Sequence, residues 1–298
     1  MKIAIGTVQF GLPYGIANRD GQTPRDAAAE ILAGARAAGA TLLDTAIAYG
    51  EAETVLGEIG AARAGWQIIT KLPGLPADLP TAEVGHWCRT AVEGSLRRLS
   101  ADHLEGLLLH HPDDLRGPHG PALAEALIAL RDRGLTAATG ISIYGPEDLD
   151  ALLPEGPARA PVPLDIVQSP ANVLDRRLES SGWAERLSKG GTRLHLRSAF
   201  LQGLLLMPLS DLPAHLSHAA PDLRRWQDWL TATGSDPLAT ALRFALSRDY
   251  AECAVLGMDS PGHLKQILAA AQADGPLPPD DLHSTNATLL DPRKWTKP

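Results

Sequence analysis

The chain has 298 residues, 44% of them hydrophobic and only 4% aromatic, with a formal charge of −8. That length suits one large α/β domain or two smaller ones, and Leu, Ala, Val and Ile rather than rings must fill the core. The acidic balance argues against nucleic acid or an anionic membrane surface as main partner.

No apolar run reaches the roughly 18 residues of a transmembrane helix, and MKIAIGTVQFG at the start reads as a first strand rather than a signal peptide. Cys88 and Cys253 are far apart and isolated. Neither a disulfide framework nor a cysteine zinc site is expected, and a reducing, cytoplasmic setting fits.

In chain order, Ile3 to Val8 reads as a strand and Gly11 to Gln22 as a loop. Thr23 is placed to cap a helix from Pro24 to Ala38, which Gly39 ends. Strands are expected over 41–44, 66–71, 104–110, 136–142, 164–168, 192–198 and 252–256. Helical patterns fall between them, at 51–62, 81–99, 121–133, 146–153, 175–189, 222–231 and 237–247, with a last one over 261–273. An insert runs from Gln202 to Asp236, and Pro276 to Pro298 is a Pro-rich tail.

The strands are apolar runs without period-2 alternation, as expected where both faces are buried. Eight strand–helix units in this length predict a parallel (β/α)8 barrel in one domain, residues 1–298. An open doubly wound sheet would call for a glycine-rich phosphate loop after the first strand, and TVQFGLPYG has none.

In such a barrel the chemistry sits at the C-terminal strand ends. Those positions hold Asp44, Lys71, His110, Ser142, Gln168 and Ser198, with Tyr49 just past the second strand and Asn172 just past the sixth. Four of them form a chemical unit. A phenol is a poor acid near neutrality, and a neighbouring ammonium, Lys71, would lower its pKa. Asp44 would balance the lysine charge, and His110 would orient a carbonyl oxygen or share the proton. Such a unit suits proton donation to an oxygen that gains charge as hydride attacks its carbon. Asp44 and Lys71 taken alone read as a structural ion pair, and Tyr49 alone as packing; together they point to catalysis. His110 and His111 are adjacent and point to opposite sides of extended chain, which rules against a shared metal. His111 either lines the substrate pocket or faces a helix.

These stretches resemble the aldo-keto reductase superfamily. DTAIAYGEAETVLG looks like its DTA–YG–E–LG signature, IITKL its lysine strand and LLLHHPDD its histidine strand. GISIYGPEDL, VQSPANVLDR and RSAFLQGLL resemble its later strand segments, so the likeness runs from about Ile3 to Leu268. The opening GTVQFGLPYGIAN is similar to the bacterial branch with aryl-alcohol dehydrogenase-like and sugar-related members. The resemblance implies NAD(P)H-dependent reduction of an aldehyde or ketone, with Tyr49 as proton donor, Lys71 and Asp44 tuning it and His110 orienting the carbonyl. It also implies that Ser142 and Gln168 hold the nicotinamide carboxamide, that Ser198, Gly257 and Ser260 border the cofactor, and that the backbone amides from Ser260 receive a phosphate.

Two positions depart from the family pattern. Arg197 stands where an aromatic residue often stacks on the nicotinamide; its guanidinium either takes over that stacking or is salt-bridged in the barrel mouth. After the last strand, GMDSPGHLKQIL lacks the basic clamp for the 2′-phosphate of NADP, with Ser260 where arginine is common and Asp259 adding negative charge. NADP(H) is therefore the cofactor by resemblance, while the missing clamp predicts relaxed or NAD-leaning choice. The pocket walls are expected from Gly11–Gln22, Leu201–Leu212 and the tail through Trp295. Tyr14 and Asn18 there are compatible with a hydroxylated, sugar-like substrate. Trp87, Trp183, Trp226 and Trp229 are read as packing. The competing functions are a cofactor-binding regulatory barrel with slow turnover, and a lyase or isomerase using Lys71 as a Schiff-base amine. The sequence says nothing of oligomeric state.

Overall fold

A computed structural model describes residues 2–295. Eight strands form a closed parallel barrel in sequential order: β1 Ile3–Gly6, β2 Leu42–Asp44, β3 Gln67–Leu72, β4 Leu104–Leu109, β5 Thr136–Ser142, β6 Ile166–Pro170, β7 Arg193–Arg197 and β8 Ala251–Gly257. Closure is made by β1 on β8, with Gly6 opposite Gly257. This is the (β/α)8 architecture the strand–helix alternation predicts. Among the described residues, no helix is long and apolar enough to cross a membrane.

Most of the apolar core lies between the barrel and its helices. Outward residues such as Leu107, Leu109, Val167, Leu194 and Leu196 meet helix residues such as Val92, Leu127 and Leu187 there. Inside the barrel, Ile69, Leu108, Ala138 and Ile166 form one small plug, and Ala4, Cys253 and Val255 another. These plugs fill the barrel below the polar strand ends, so the barrel is a packed floor rather than a pore. Cys88 and Cys253 are both buried free thiols, and burial pushes the Cys88 thiol up to about 12.

Several boundaries differ from the sequence reading. β1 stops at Gly6, and Val8–Gly11 turns as one short helix, because Thr7 leaves the sheet to hydrogen-bond the Asp44 carbonyl through both its N–H and its hydroxyl. Thr23 does not cap the next helix; Pro24 occupies the cap position of Arg25–Ala37, and the Thr23 hydroxyl is buried without a partner. The pattern over 81–99 resolves into a 3-10 turn, Thr81–Glu83, and a helix, Val84–Leu99. The stretch 175–189 is two helices, Arg177–Ser180 and Trp183–Lys189, broken where Gly182 takes φ +76°. β6 runs to Pro170, two residues beyond the expected end.

The insert after β7 is short 3-10 turns followed by the helix Ala220–Thr233. Leu201, Leu204, Leu205, Leu216, Trp226 and the tail's Leu289, Leu290 and Trp295 make a second apolar cluster beside the barrel mouth. Trp183 and Trp226 are fully buried, and Trp229 stacks on Trp226 at 5.8 Å, the packing roles expected of them. Four arginines clasp the tail. Arg176 holds the Pro278 and Pro279 carbonyls and the Asp280 carboxylate, Arg177 the Leu290 carbonyl, Arg225 the Asp281 carbonyl and Arg243 the Pro276 carbonyl. Of the predicted tail, residues 296–298 lie outside the described residues.

Candidate active site

The register of β2 and β3 fixes the centre of the mouth. Asp44 is the last residue of β2 and pairs with Ile69, which sets Lys71 one inward position higher on β3. The Lys71 ammonium, wholly buried, donates to Asp44 Oδ2 at 2.7 Å and to the Thr45 carbonyl at 2.9 Å. The second Asp44 oxygen accepts from Gln168 Nε2 at 2.6 Å, and the Ser142 hydroxyl reaches Gln168 Oε1 at 3.4 Å. Ser142 and Gln168 face each other directly across β5 and β6. Thus four of the predicted strand-end residues form one hydrogen-bonded chain.

Tyr49 lies on a tight turn between β2 and the helix Ala52–Ile59. Gly50 takes φ +55° there, a left-handed conformation that glycine adopts without a Cβ penalty. Gly11 backs onto the same turn so closely that a Cβ would lie 1.9 Å from the Tyr49 carbonyl. Behind the turn, buried Glu53 accepts from Thr70 and Ser95, each at 2.6 Å, and from Arg98 Nε at 2.8 Å, tying the helix to β3 and to Val84–Leu99. The turn is therefore held from both sides. It places the Tyr49 ring 5.1 Å from the Lys71 ammonium and 5.8 Å, edge to face, from the His110 ring.

The electrostatics differ from the sequence expectation in one respect. Burial, seconded by Asp44, pushes the Tyr49 phenol above its usual range, with Arg197 opposing. The predicted lowering by Lys71 is not what this environment does, because burial of the phenol dominates and the Asp44 carboxylate adds to it. Tyr49 accordingly stays a neutral phenol, the form that can donate. Burial also draws Lys71 down from the ordinary lysine value, against the pull of Asp44. His110 is lowered to about 4, first by burial and then by Lys71, so it is a neutral imidazole across the physiological range.

These groups open into a cleft of about 530 Å³. Asp44, Tyr49, His110, Ser142, Gln168, Arg197, Ser198, Gly257 and Tyr14 all line it. Four other predicted residues do not: Lys71 lies wholly buried beneath it, and the other three are engaged elsewhere. Ser260 caps the helix Pro261–Ala270 by accepting from the His263 N–H at 3.2 Å. His111 is exposed and packs by Gly74, because neighbours in extended chain point apart and His110 takes the inward side. Asn172 is buried as a bracket, donating to the Ser198 carbonyl and accepting from the Leu174 and Asp175 N–H groups. Asn18 lines the cleft but spends its amide on its own loop, bonding Tyr14, Asp20 and Gly21 backbone.

Sequence reasoning missed Gln9, Tyr144 and Arg293, all in the cleft wall. The Tyr144 ring lies between two guanidinium groups, Arg197 at 4.6 Å and Arg293 at 4.0 Å. Arg293 is paired with Asp291 through two bonds of 2.9 Å. Arg197 has no salt-bridge partner among the described residues; it donates to the Ile143 carbonyl at 2.8 Å and the Ser198 hydroxyl at 3.3 Å. The tail and a β5 loop meet over 140 residues of intervening chain, so no local pattern marks them. The strain after β7 was equally hidden: Ser198, Leu201 and Gln202 have φ between +48° and +61°, the kind of cost that binding sites tend to carry.

The family model for aldo/keto reductases matches residues 2–288. The chain belongs to the aldo/keto reductase family. It is similar to the aldo-keto reductase YhdN of Bacillus subtilis, at 26% identity over 89% of this chain and 83% of that one. A 6-dehydroglucose reductase of Novosphingobium aromaticivorans is 31% identical over about half of each chain, 50% of this one and 51% of the other. The fold matches that of an aldo-keto reductase from Bacillus halodurans in its holo form, with a TM-score of 0.71 at 22% identity, over 92% of this chain and 87% of that one. Family membership makes this chain an oxidoreductase whose cofactor is a nicotinamide dinucleotide.

The cleft of this aldo/keto reductase fits such a polar guest. Gln9 Oε1 and Arg197 Nε are buried there without hydrogen-bond partners among the described residues. The Gln9 amide lies against bare Gly257 at the β8 end, where a Cβ would come within 2.6 Å of it.

Proposed function

We propose that this aldo/keto reductase reduces an aldehyde or ketone with Tyr49 as the proton donor. A bound nicotinamide dinucleotide supplies the hydride. The carbonyl oxygen sits between the Tyr49 hydroxyl and the His110 imidazole. His110, neutral, donates an N–H to that oxygen and aims it. As the carbon takes the hydride, the oxygen gains an electron pair and takes the Tyr49 proton, leaving a phenolate and an alcohol. Lys71, 5.1 Å from the ring, stabilises the phenolate as it forms, while Asp44 keeps the ammonium in place. Ser142, Gln168, Ser198 and Gly257 border the nicotinamide end of the cofactor.

The observation that carries this reading is the joint geometry: the Tyr49 and His110 rings 5.8 Å apart in one cleft, above the buried Asp44–Lys71 ion pair. Tyr49→Phe is expected to retain dinucleotide binding and lose most NAD(P)H oxidation, roughly the hundredfold or more of a lost general acid. A cofactor-binding barrel with slow turnover would instead show a rate indifferent to Tyr49.

The β8 corner supports a cofactor choice leaning toward NAD(H). Asp259 lines the cleft there with its carboxylate 2.5 Å from His263 Nδ1, and Lys265 on the following helix is exposed and outside the wall. A carboxylate near the adenosine ribose favours two hydroxyls over a phosphate. NADPH binding tenfold or more tightly than NADH would reject this choice. The similarity to a 6-dehydroglucose reductase, with Tyr14 on the cleft rim, supports polyhydroxylated carbonyl compounds as the first substrates to assay. A panel of aldehydes, ketones and sugars followed by NADH and NADPH absorbance tests it.

A further inference from the structure

We propose that Arg197 makes the cleft sense the charge of the nicotinamide, so that the reduced dinucleotide binds more tightly than the oxidised one. The inference rests on the cofactor reading above and adds to it a preference between redox states.

Arg197 stands apart from the other fixed cations in and beneath the cleft. Lys71 faces Asp44 at 2.7 Å and Arg293 faces Asp291 at 2.9 Å. Arg197 has no carboxylate within ion-pair distance among the described residues. Its partners are a backbone carbonyl and a hydroxyl, both neutral, and its Nε has none. The side chain enters the cleft because the β7 period of two sends Arg193, His195 and Arg197 inward and Leu194 and Leu196 to the helices. A guanidinium cannot shed its proton to escape this position. Burial dominates the shifts at Tyr49, Lys71 and His110, and Arg197 contributes to all three, so its field spans the site.

Arg197, Tyr49 and His110 line one cleft of about 530 Å³. Hydride transfer requires donor and acceptor atoms roughly 3–3.5 Å apart. With the carbonyl at Tyr49 and His110, a nicotinamide bordered by Ser142 and Ser198 would have Arg197 beside it, since the guanidinium is bonded to the Ser198 hydroxyl and to the carbonyl next to Ser142. The two redox states share their phosphates and riboses. They differ by one hydride, a proton and two electrons, whose departure to the carbonyl carbon leaves the ring with one positive charge. The Tyr49 proton completes the alcohol. A fixed cation therefore acts on the difference between the two states and on little else. Two unit charges about 8 Å apart at an effective dielectric of about 20 repel by an amount equivalent to roughly thirtyfold in Kd. Allowing for residual water, about tenfold is expected. An aromatic side chain at this position would have the opposite tendency, since its π face attracts a cation.

The test is dinucleotide binding, read by quenching of tryptophan fluorescence at pH 7. It compares NADH with NAD+ and NADPH with NADP+ in the wild type, Arg197→Gln, Arg197→Met and Arg197→Lys. The wild-type ratio of oxidised to reduced Kd is expected to be about tenfold larger than in the Gln and Met variants, with Lys keeping most of it. If Arg197 only braces Ile143 and Ser198, the neutral variants weaken both redox states equally and the ratio stays, which overturns the proposal. A wild-type ratio of one or less overturns it without any variant, as does a Lys variant no different from Gln. Failure of the wild type to bind any dinucleotide would instead refute the cofactor reading itself.

Discussion

Removing the ammonium from beneath the cleft gives the sharpest test of how the site is built. Lys71 is wholly buried and Asp44 is 4% exposed, with 2.7 Å between the ammonium and the carboxylate. Lys71→Met leaves Asp44 ionised in the barrel with only Gln168 as donor and frees the Thr45 carbonyl. Asp44→Asn leaves the ammonium in the same plight. Breaking a buried pair from either side costs about 3–5 kcal/mol, whereas replacing both partners by neutral groups of similar volume is often close to neutral. Each single variant should therefore lose about 3–5 kcal/mol in equilibrium urea unfolding. The double variant should lose about 1–2 kcal/mol, because only neutral hydrogen bonds remain unmade. The resulting coupling is at least about 4 kcal/mol, far above the few tenths seen between independent sites. Activity should be lost in both variants that lack Lys71, since recovery of packing does not restore a cation beside Tyr49. Single losses under about 1 kcal/mol, or a double variant as unstable as the sum of the singles, would refute the picture of a matched buried pair.

The remaining predictions follow from the same contacts. His110 has a folded pKa of about 4 against roughly 6.5 for an unperturbed imidazole. The unfolded chain therefore takes up its proton first on acidification. The stability this group contributes is complete above about pH 6.5 and is lost as pH falls toward 4. Urea midpoints measured across that window should decline more steeply in the wild type than in His110→Gln, and kcat/KM should show no imidazole break between about pH 5 and 8. Gly11→Ala forces a Cβ into the Tyr49 carbonyl, so the turn must move. A displacement of about 1 Å costs on the order of a hundredfold in kcat/KM, and wild-type kinetics in this variant would contradict the packing described. Glu53→Gln turns an amide N–H toward a site of donors, Thr70, Ser95 and Arg98; a loss of about 2–4 kcal/mol in urea unfolding is expected.

The barrel was legible because buried parallel strands advertise themselves as apolar runs, and because six of the eight expected strands ended on a polar residue where a packed interior forbids one without a role. Asp44, Lys71, Ser142 and Gln168 fell into place for that reason: strand register alone brings them into contact. Turns and tail were not legible in the same way. Thr23 carries the chemistry of a helix cap, but the chain enters the helix at Pro24 and the hydroxyl goes unused. Tyr144 and Arg293 meet only because four arginines pull the tail across the molecule. The phenol's environment was read with the wrong sign because the sequence shows that Lys71 is near Tyr49 but not that the phenol is buried deeply enough for burial to outweigh the cation. Arg197 is the reverse case. A salt bridge and an unpaired cation read alike in sequence, and only the neutral character of its partners separates them.

The clasped tail has a consequence in time. The cleft wall runs in sequence from Gly6 to Arg293, and β1 closes the barrel only on β8, some 250 residues later. Such long-range pairing is slow, because chain closure must be completed before its contacts repay it. A refolding molecule can regain helix and barrel signal while the last segment is still undocked, yet it then lacks one side of its binding surface. Dinucleotide binding during refolding should therefore lag behind far-ultraviolet circular dichroism, marking the moment when the final clasp closes.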